Sequence, residues 1–368
     1  MTLPNSSGPA LGFSGALTRT FIRSPLTPLL LIAALIAGLI AIMGLPREEE
    51  PQISVPLVDL IVTANGYKAD GAVELITRPL EDIIRSINSV EHVYSQTQDD
   101  HVVVTARFFV GTDEDTAVLR VHEKIRAAIN DLPKGIPEPL IIGRGINDVA
   151  TVALTLSASP EHASDFTANG LFQVAQELQH ELAKVDNIGV TYIVGGDPNQ
   201  IRVQPDPARL SLYGITLNQL VDKITNANRS FSVGAFRDGG HSVPVLAGQT
   251  LQGVPDIGQL LLTSRDGRPV YIKDVADVLV GAAEPEHRGW MLTRGKDGAL
   301  DQRPAVTLAL AKRKGANAVV VAEDILKRVE IIKQRVIPAG VDIAVTRNYG
   351  ETANDKAVKL IQKLVFAT

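Results

Sequence analysis

HVVVTARFFVGTDEDTAVL at residues 101–119 and AVTLALAKRKGANAVVV at residues 305–321 read alike. Each opens on an aliphatic run that predicts a strand. Each then places a glycine two residues ahead of an N-cap side chain: Gly111-Thr112-Asp113 in the first, Gly315-Ala316-Asn317 in the second. A helix follows in both. This weak internal repeat is what a duplicated βα unit leaves behind.

Working outward from the first copy, residues 55–64 alternate and predict a strand. Residues 69–87 carry apolar side chains at helical spacing, with Pro79 placed to bend or interrupt the helix. Short strands are predicted at 91–95 and 101–109, joined at Gln98-Asp99-Asp100, and a helix at 112–132 opened by Asp113. The order β-α-β-β-α is that of a split βαβ, ferredoxin-like module. The second copy comes in two pieces. A strand at 151–158 and a helix at 166–185 are separated from a strand at 305–312, a helix at 317–336 and a strand at 341–347. Between the pieces, residues 189–281 form their own unit. It has strands at 189–194 and 200–204, a helix at 217–227 and a hairpin over 231–251 turning at Asp238, Gly239 and Gly240. Insertion into an exposed loop of a parent domain explains the split.

Ahead of all this lies PLTPLLLIAALIAGLIAIMGLP, residues 25–46, uncharged between Arg23 and Arg47. Roughly 20 apolar residues at about 1.5 Å each span about 30 Å of hydrocarbon. Arg19 and Arg23 precede the run and Glu48, Glu49 and Glu50 follow it, so the positive-inside rule puts the N-terminus in the cytoplasm. A cleaved signal peptide is the alternative, but the run is longer than a usual h-region and has no clear A-x-A site. AVKLIQKLVFAT at residues 357–368 reads either as an amphipathic terminal helix or as the start of a second span.

The 368 residues carry a net charge of -5 and no cysteine. The charge gives no basic field for a phosphate backbone, which excludes nucleic acid as a partner. Without cysteine there are no disulfides, thiolate metal sites or thiol nucleophiles. No P-loop, G-x-G-x-x-G, G-x-S-x-G or H-E-x-x-H pattern occurs, so no nucleotide site and no enzyme are implied. The acidic run Asp113, Glu114 and Asp115 is accounted for by the dipole of the helix it opens. His92 and His101 could approach across a hairpin as metal ligands, although strand-edge structure explains them as well. Trp290 reads as a core or domain-contact residue.

The apolar run, then LPREEEPQISVP, RPLEDIIRSINSVEHVYS, VGTDEDTAVLRVHEKI and KGANAVVVAEDI, in that order, resembles the N-terminal half of resistance-nodulation-division (RND) efflux permeases of the acriflavine-resistance, hydrophobe-amphiphile type. The resemblance implies a membrane-anchored α+β chain: cytoplasmic residues 1–23, a transmembrane helix at 24–46, and a first ferredoxin-like porter subdomain at 50–144. A second, split porter subdomain follows at 145–188 and 282–349, with an inserted docking subdomain at 189–281 and a second span beginning at 357–368. It also implies an inner-membrane homotrimer working with a periplasmic adaptor and an outer-membrane channel. Such a pump exports small toxic or amphipathic compounds on a proton gradient, with no cofactor. Asp115, Leu119 and Arg126 would then face a central pore, and Val149, Thr151, Tyr192 and Val194 would line the substrate path. The hairpin at Asp238, Gly239 and Gly240 would reach a neighbouring protomer. Family members that carry aromatic drugs line this path with aromatics, and only Tyr192 is aromatic here. Metal exporters use methionine relays, and this chain has only Met1, Met43 and Met291. The competing reading is a periplasmic binding module on a single anchor, or a non-functional truncated transporter.

Overall fold

The computed structural model describes residues 12–22, 24–48, 55–238, 241–249, 251–265, 267–285, 287–294 and 298–367. A short helix, α1 (Phe13–Ile22), precedes α2 (Leu26–Gly44), which has 19 residues, none charged. Pro25 stands just before its first turn, where a missing N–H costs nothing. The described side chains of α2 are largely exposed, Leu29, Leu35 and Ile40 among them. The side chain of Met43 lies outside the described set, and among the described residues no helix is long and apolar enough to cross a membrane.

The first module is built from β1 (Leu57–Thr63), α3 (Ala69–Ala72), α4 (Arg78–Arg85), β2 (Val90–Gln98), β3 (His101–Phe108), α5 (Glu114–Ala127) and β4 (Leu140–Arg144). Its sheet runs β2-β3-β1-β4 and every pair is antiparallel. That is the ferredoxin-like order, with β4 completing it. The expected interruption at Pro79 takes a specific form: one π turn, Val73–Thr77, joins α3 to α4. Proline supplies no N–H to the carbonyl four residues back and its ring crowds that carbonyl, so the helix widens there instead of breaking. Leu60, Ile76, Leu80, Ile84, Phe108 and Ile125 are fully buried between sheet and helices. Each such side chain contributes about 1.5–3 kcal/mol by leaving water.

The second module starts with β5 (Ala150–Ala158), α6 (Ala168–Leu182) and β6 (Ile188–Val194). The inserted unit then runs through β7 (Asn199–Pro205), α7 (Pro207–Tyr213), α8 (Leu217–Ala227), β8 (Arg229–Asp238), β9 (His241–Gln249), α9 (Val254–Gly258), β10 (Leu261–Arg265), β11 (Arg268–Tyr271), α10 (Ile272–Val275) and β12 (Ala276–Ala282). The chain returns through β13 (Trp290–Arg294), β14 (Leu300–Lys312), α11 (Ala318–Val336), β15 (Val341–Asn348) and α12 (Tyr349–Ala367). In the second sheet β15, β5, β14 and β6 lie side by side, all antiparallel, and β13 pairs with the leading half of β14. This is the same ferredoxin-like order as in the first module. Because β6 hydrogen-bonds along β14, from Ile188 opposite Lys312 to Val194 opposite Thr307, the inserted unit begins after Val194 and not at Gly189.

The inserted unit has a small core of its own around Leu220, Val270, Ile272 and Val275. It is attached through a two-stranded ribbon in which β7 and β12 pair over their whole length, Asn199 opposite Ala282. Where the ribbon leaves the second module the backbones crowd: a Cβ on Gly289 would lie 2.4 Å from the Ala305 carbonyl oxygen. Helices α6 and α11 cover one side of the second sheet. They are tied by Glu181, whose carboxylate meets Lys184 at 2.6 Å, Arg328 at 2.8 Å and Arg335 at 3.0 Å. The Lys184 hydrogen bond leads in holding that carboxyl below the ordinary glutamate range.

Helix α12 crosses α11 closely at Gly350, where a Cβ would sit 2.4 Å from Cβ of Ala322 and 2.8 Å from the Ala318 carbonyl oxygen. Asn348 opens the helix by accepting from the Glu351 amide at 3.1 Å. Gly350→Ala should therefore lower the stability of the second module by about 1–3 kcal/mol through overpacking, read as an earlier urea midpoint. Gly71→Ala in α3, where an added Cβ meets nothing within 4 Å, should instead leave the stability of the first module unchanged or raise it by about 0.5–1 kcal/mol.

Candidate functional site

Pairing geometry fixes which side chains share the helix-free side of the second sheet. Directly opposed residues of an antiparallel pair project to the same side, and alternate residues along a strand project to opposite sides. Val152, Leu154 and Leu156 of β5 join the core beneath α6 and α11, so Thr151, Ala153, Thr155 and Ser157 face the other way. Thr307 stands opposite both Thr155 and Val194, and Ala309 opposite both Ala153 and Tyr192. The Thr155 hydroxyl lies 2.9 Å from that of Thr307 and 2.9 Å from that of Thr346 on β15, a hydroxyl row across three strands.

The result is a floor of threonine, serine and alanine with one aromatic edge. Tyr192 is 40% exposed and Val194 52%, while Thr151 is 4% exposed and lies within the floor. Val149, just ahead of β5, is exposed. Of the four residues expected along a substrate path, Thr151, Tyr192 and Val194 thus share one face, and Val149 stands open at its border. Val194 also borders a cleft of about 430 Å³ whose other walls include Phe172, Pro198 and His287. The threonine row was not singled out from sequence. Its signal is present in TVALTLSA, residues 151–158, where every second side chain is small or hydroxylated.

A second locus lies at the seam between modules. Glu114, in the first turn of α5, meets Gly145, Ile146, Asn147 and Lys314 around a small enclosed space. A Cβ on Gly145 would fall 2.3 Å from the Glu114 carboxylate, so the close approach depends on glycine. Burial first, then repulsion from Asp148 and Asp115, pushes the Glu114 carboxyl above its ordinary range, while Lys314 opposes the shift. Its neighbour Asp113 behaves oppositely. It caps α5 by accepting from the Thr116 amide at 3.1 Å and hydroxyl at 3.0 Å, and those bonds hold its carboxyl low.

Asp115 and Leu119 project from the exposed side of α5, away from its buried Ala117, Val121 and Ile125. Arg126, further along the same helix, is exposed too and pairs with Glu138 at 3.5 Å. In the hairpin of β8 and β9, Asp238 pairs with His241, and Gly239 and Gly240 lie outside the described residues. His92 lies opposite Arg107 and His101 opposite Gln98, so the two histidines occupy opposite ends of their hairpin. Among the described residues no group of three His, Asp or Glu could hold a metal ion. Trp290 is half-exposed on β13.

Two split-βαβ modules, one interrupted by an inserted unit, thus follow the apolar helix α2. The chain belongs to the AcrB/AcrD/AcrF family, whose model matches residues 17–368. The resemblance read from the motifs is therefore family membership, and the chain corresponds to the N-terminal portion of an RND-type permease.

The seam carries a test with a definite sign. A carboxyl raised by folding costs no stability below its unfolded value; the cost builds as pH rises through the folded value and is complete above it. Glu114→Gln should raise the thermal midpoint at neutral pH, and that gain should vanish in acid below the ordinary glutamate range, as measured by thermal denaturation at the two pH values.

Proposed function

We propose that this chain forms the front of a proton-driven RND permease that exports small toxic or amphipathic compounds across the inner membrane. The observation that carries this reading is the edge of the second sheet's helix-free side, where Tyr192 and Val194 stand exposed beside a floor whose own Thr151, Thr155 and Ser157 are buried. Threonine hydroxyls offer hydrogen bonds without fixed charge, and the aliphatic and tyrosine edge offers apolar area. Together they suit amphipathic molecules better than flat polyaromatic ones. Transport, and not bond chemistry, is the task of such a floor. No cofactor enters, and the energy source is the proton gradient.

In this reading the whole uncharged run at residues 24–46, longer than α2 alone, spans the inner membrane with the N-terminus cytoplasmic. The length of that run and the arginines ahead of it support the reading. The bulk of the chain is then periplasmic. Asp115 and Leu119 stand exposed on α5, with Arg126 further along it, and suit a face packed against two other copies around a central pore. The hairpin of β8 and β9 would engage a neighbouring copy, and the inserted unit would serve a periplasmic adaptor and an outer-membrane channel.

The test is export from cells expressing the whole permease with its adaptor and channel. Wild type should lower the intracellular level of an amphipathic dye, and an uncoupler should abolish the effect. Tyr192→Ala should raise the half-saturating substrate concentration roughly fivefold, equivalent to about 1 kcal/mol of lost ring contact, with the membrane level of the protein unchanged. Export that persists without a proton gradient, or that ignores Tyr192, would overturn the assignment. A protein that only retains the dye at the membrane would support the single-anchor binding module.

A further inference from the structure

Arg47 and Glu48, three and four residues past the end of α2, are joined to the far end of the chain. The Arg47 carbonyl accepts from the Ala318 amide at 3.1 Å, which satisfies one of the free donors in the first turn of α11. Its guanidinium donates to the Asn354 side-chain oxygen on α12 at 2.6 Å. Glu48 meets Lys312, the last residue of β14, at 2.9 Å. That pair is separated by 264 positions, and its side chains are only 19% and 12% exposed. Two consecutive residues thus hold a strand and two helices of the second module, although the chain runs on from them into the first module. Charged groups withdrawn from water on both sides resist separation, because a partner left alone there carries its desolvation cost unpaid.

We propose that Arg47 and Glu48 form a clasp that makes α2, α12 and the second module one mechanical body, against which the first module moves. The same geometry places the moving boundary. Lys314, two residues past the clasped Lys312, faces Glu114 of the first module across the small space beside Gly145. The β14–α11 turn is therefore gripped from one side by the clasp and met from the other by the first module. α12 cannot part from α11 without opening the crossing at Gly350. This inference rests on the permease reading for its purpose, since a clasp at the root of α2 would carry motion between membrane and substrate floor. Its geometry is independent of that reading.

The test measures distances between spin labels in the whole permease, and the absence of cysteine from these 368 residues simplifies labelling. One pair joins Leu45→Cys, at the end of α2, to Ile331→Cys on α11; the other joins Asp82→Cys in the first module to Ile331→Cys. All three positions are exposed. In wild type the first pair should give one narrow distribution, indifferent to substrate, and the second a broader or substrate-dependent one. Glu48→Gln should widen the first distribution at least about twofold, as expected when a second conformer becomes populated. The exchange Glu48→Lys with Lys312→Glu should narrow it again, which a mere folding defect would not do. A first distribution as broad as the second in wild type, or one that Glu48→Gln leaves narrow, would overturn the clasp. Loss of export with both distributions behaving as stated would count against the transport reading alone.

Discussion

The pairing of β14 is the constraint on which the second half of the structure depends. This strand has 13 residues, the longest among the described residues, and pairs with β5 on one edge and with β13 and then β6 on the other. Val306, Leu308 and Leu310 bury their side chains beneath the helices while Thr307 and Ala309 form the floor above. Removing β14 from this arrangement would separate β6 from β5 and split the core. Its last residue, Lys312, is the one held by Glu48, so the strand that closes the sheet also receives the root of α2. Packing, floor and clasp are three consequences of one strand's register.

Much of this fold was legible as pattern. The alternation in residues 55–64, the aliphatic runs at 101–109 and 305–312 and the caps at Asp113 and Asn317 led directly to strands and helix starts, and Asn317 does accept from the Val319 amide. What escaped is short or depends on long-range pairing. β4 has five residues and follows Pro137 and Pro139, which dilute its strand signal. β13 owes its existence to β14 alone. The assignment of β6 was misjudged because residues 189–194 look the same whether their partner is a neighbour in sequence or a strand more than a hundred positions away. Only the pairing with β14 decides.

The site was legible to a smaller degree. Tyr192, Val194 and Thr151 were named only through family resemblance; register explains why Tyr192 and Val194 share a side with Ala309 and Thr307 of β14. The threonine row, the Glu114 seam and the Arg47–Glu48 clasp were not read, although all their residues were in view. Their meaning lies in partners such as Thr307, Lys314 and Lys312, and no local window contains both members of those pairs. The three glutamates after α2 illustrate the limit. In sequence they mark only the acidic flank of the apolar run, yet Glu48 is withdrawn into an ion pair.

The separation of 152 positions between Thr155 and Thr307 also has a consequence for biosynthesis. A ribosome adding about 5–20 residues per second exposes Thr155 of β5 roughly 8–30 s before Thr307 of β14 emerges, with α6 and β6 appearing in between. During that interval β5 and β6 lack the strand that lies between them, and the apolar underside of a half-built sheet stands open. The inserted unit, with its own core and a ribbon closed by β7 and β12, can complete itself in the meantime. Its closure brings residues 199 and 282 together, which shortens the loop that β14 must close to find β5. The insertion that divides the second module in sequence thus acts as the tether that reunites it.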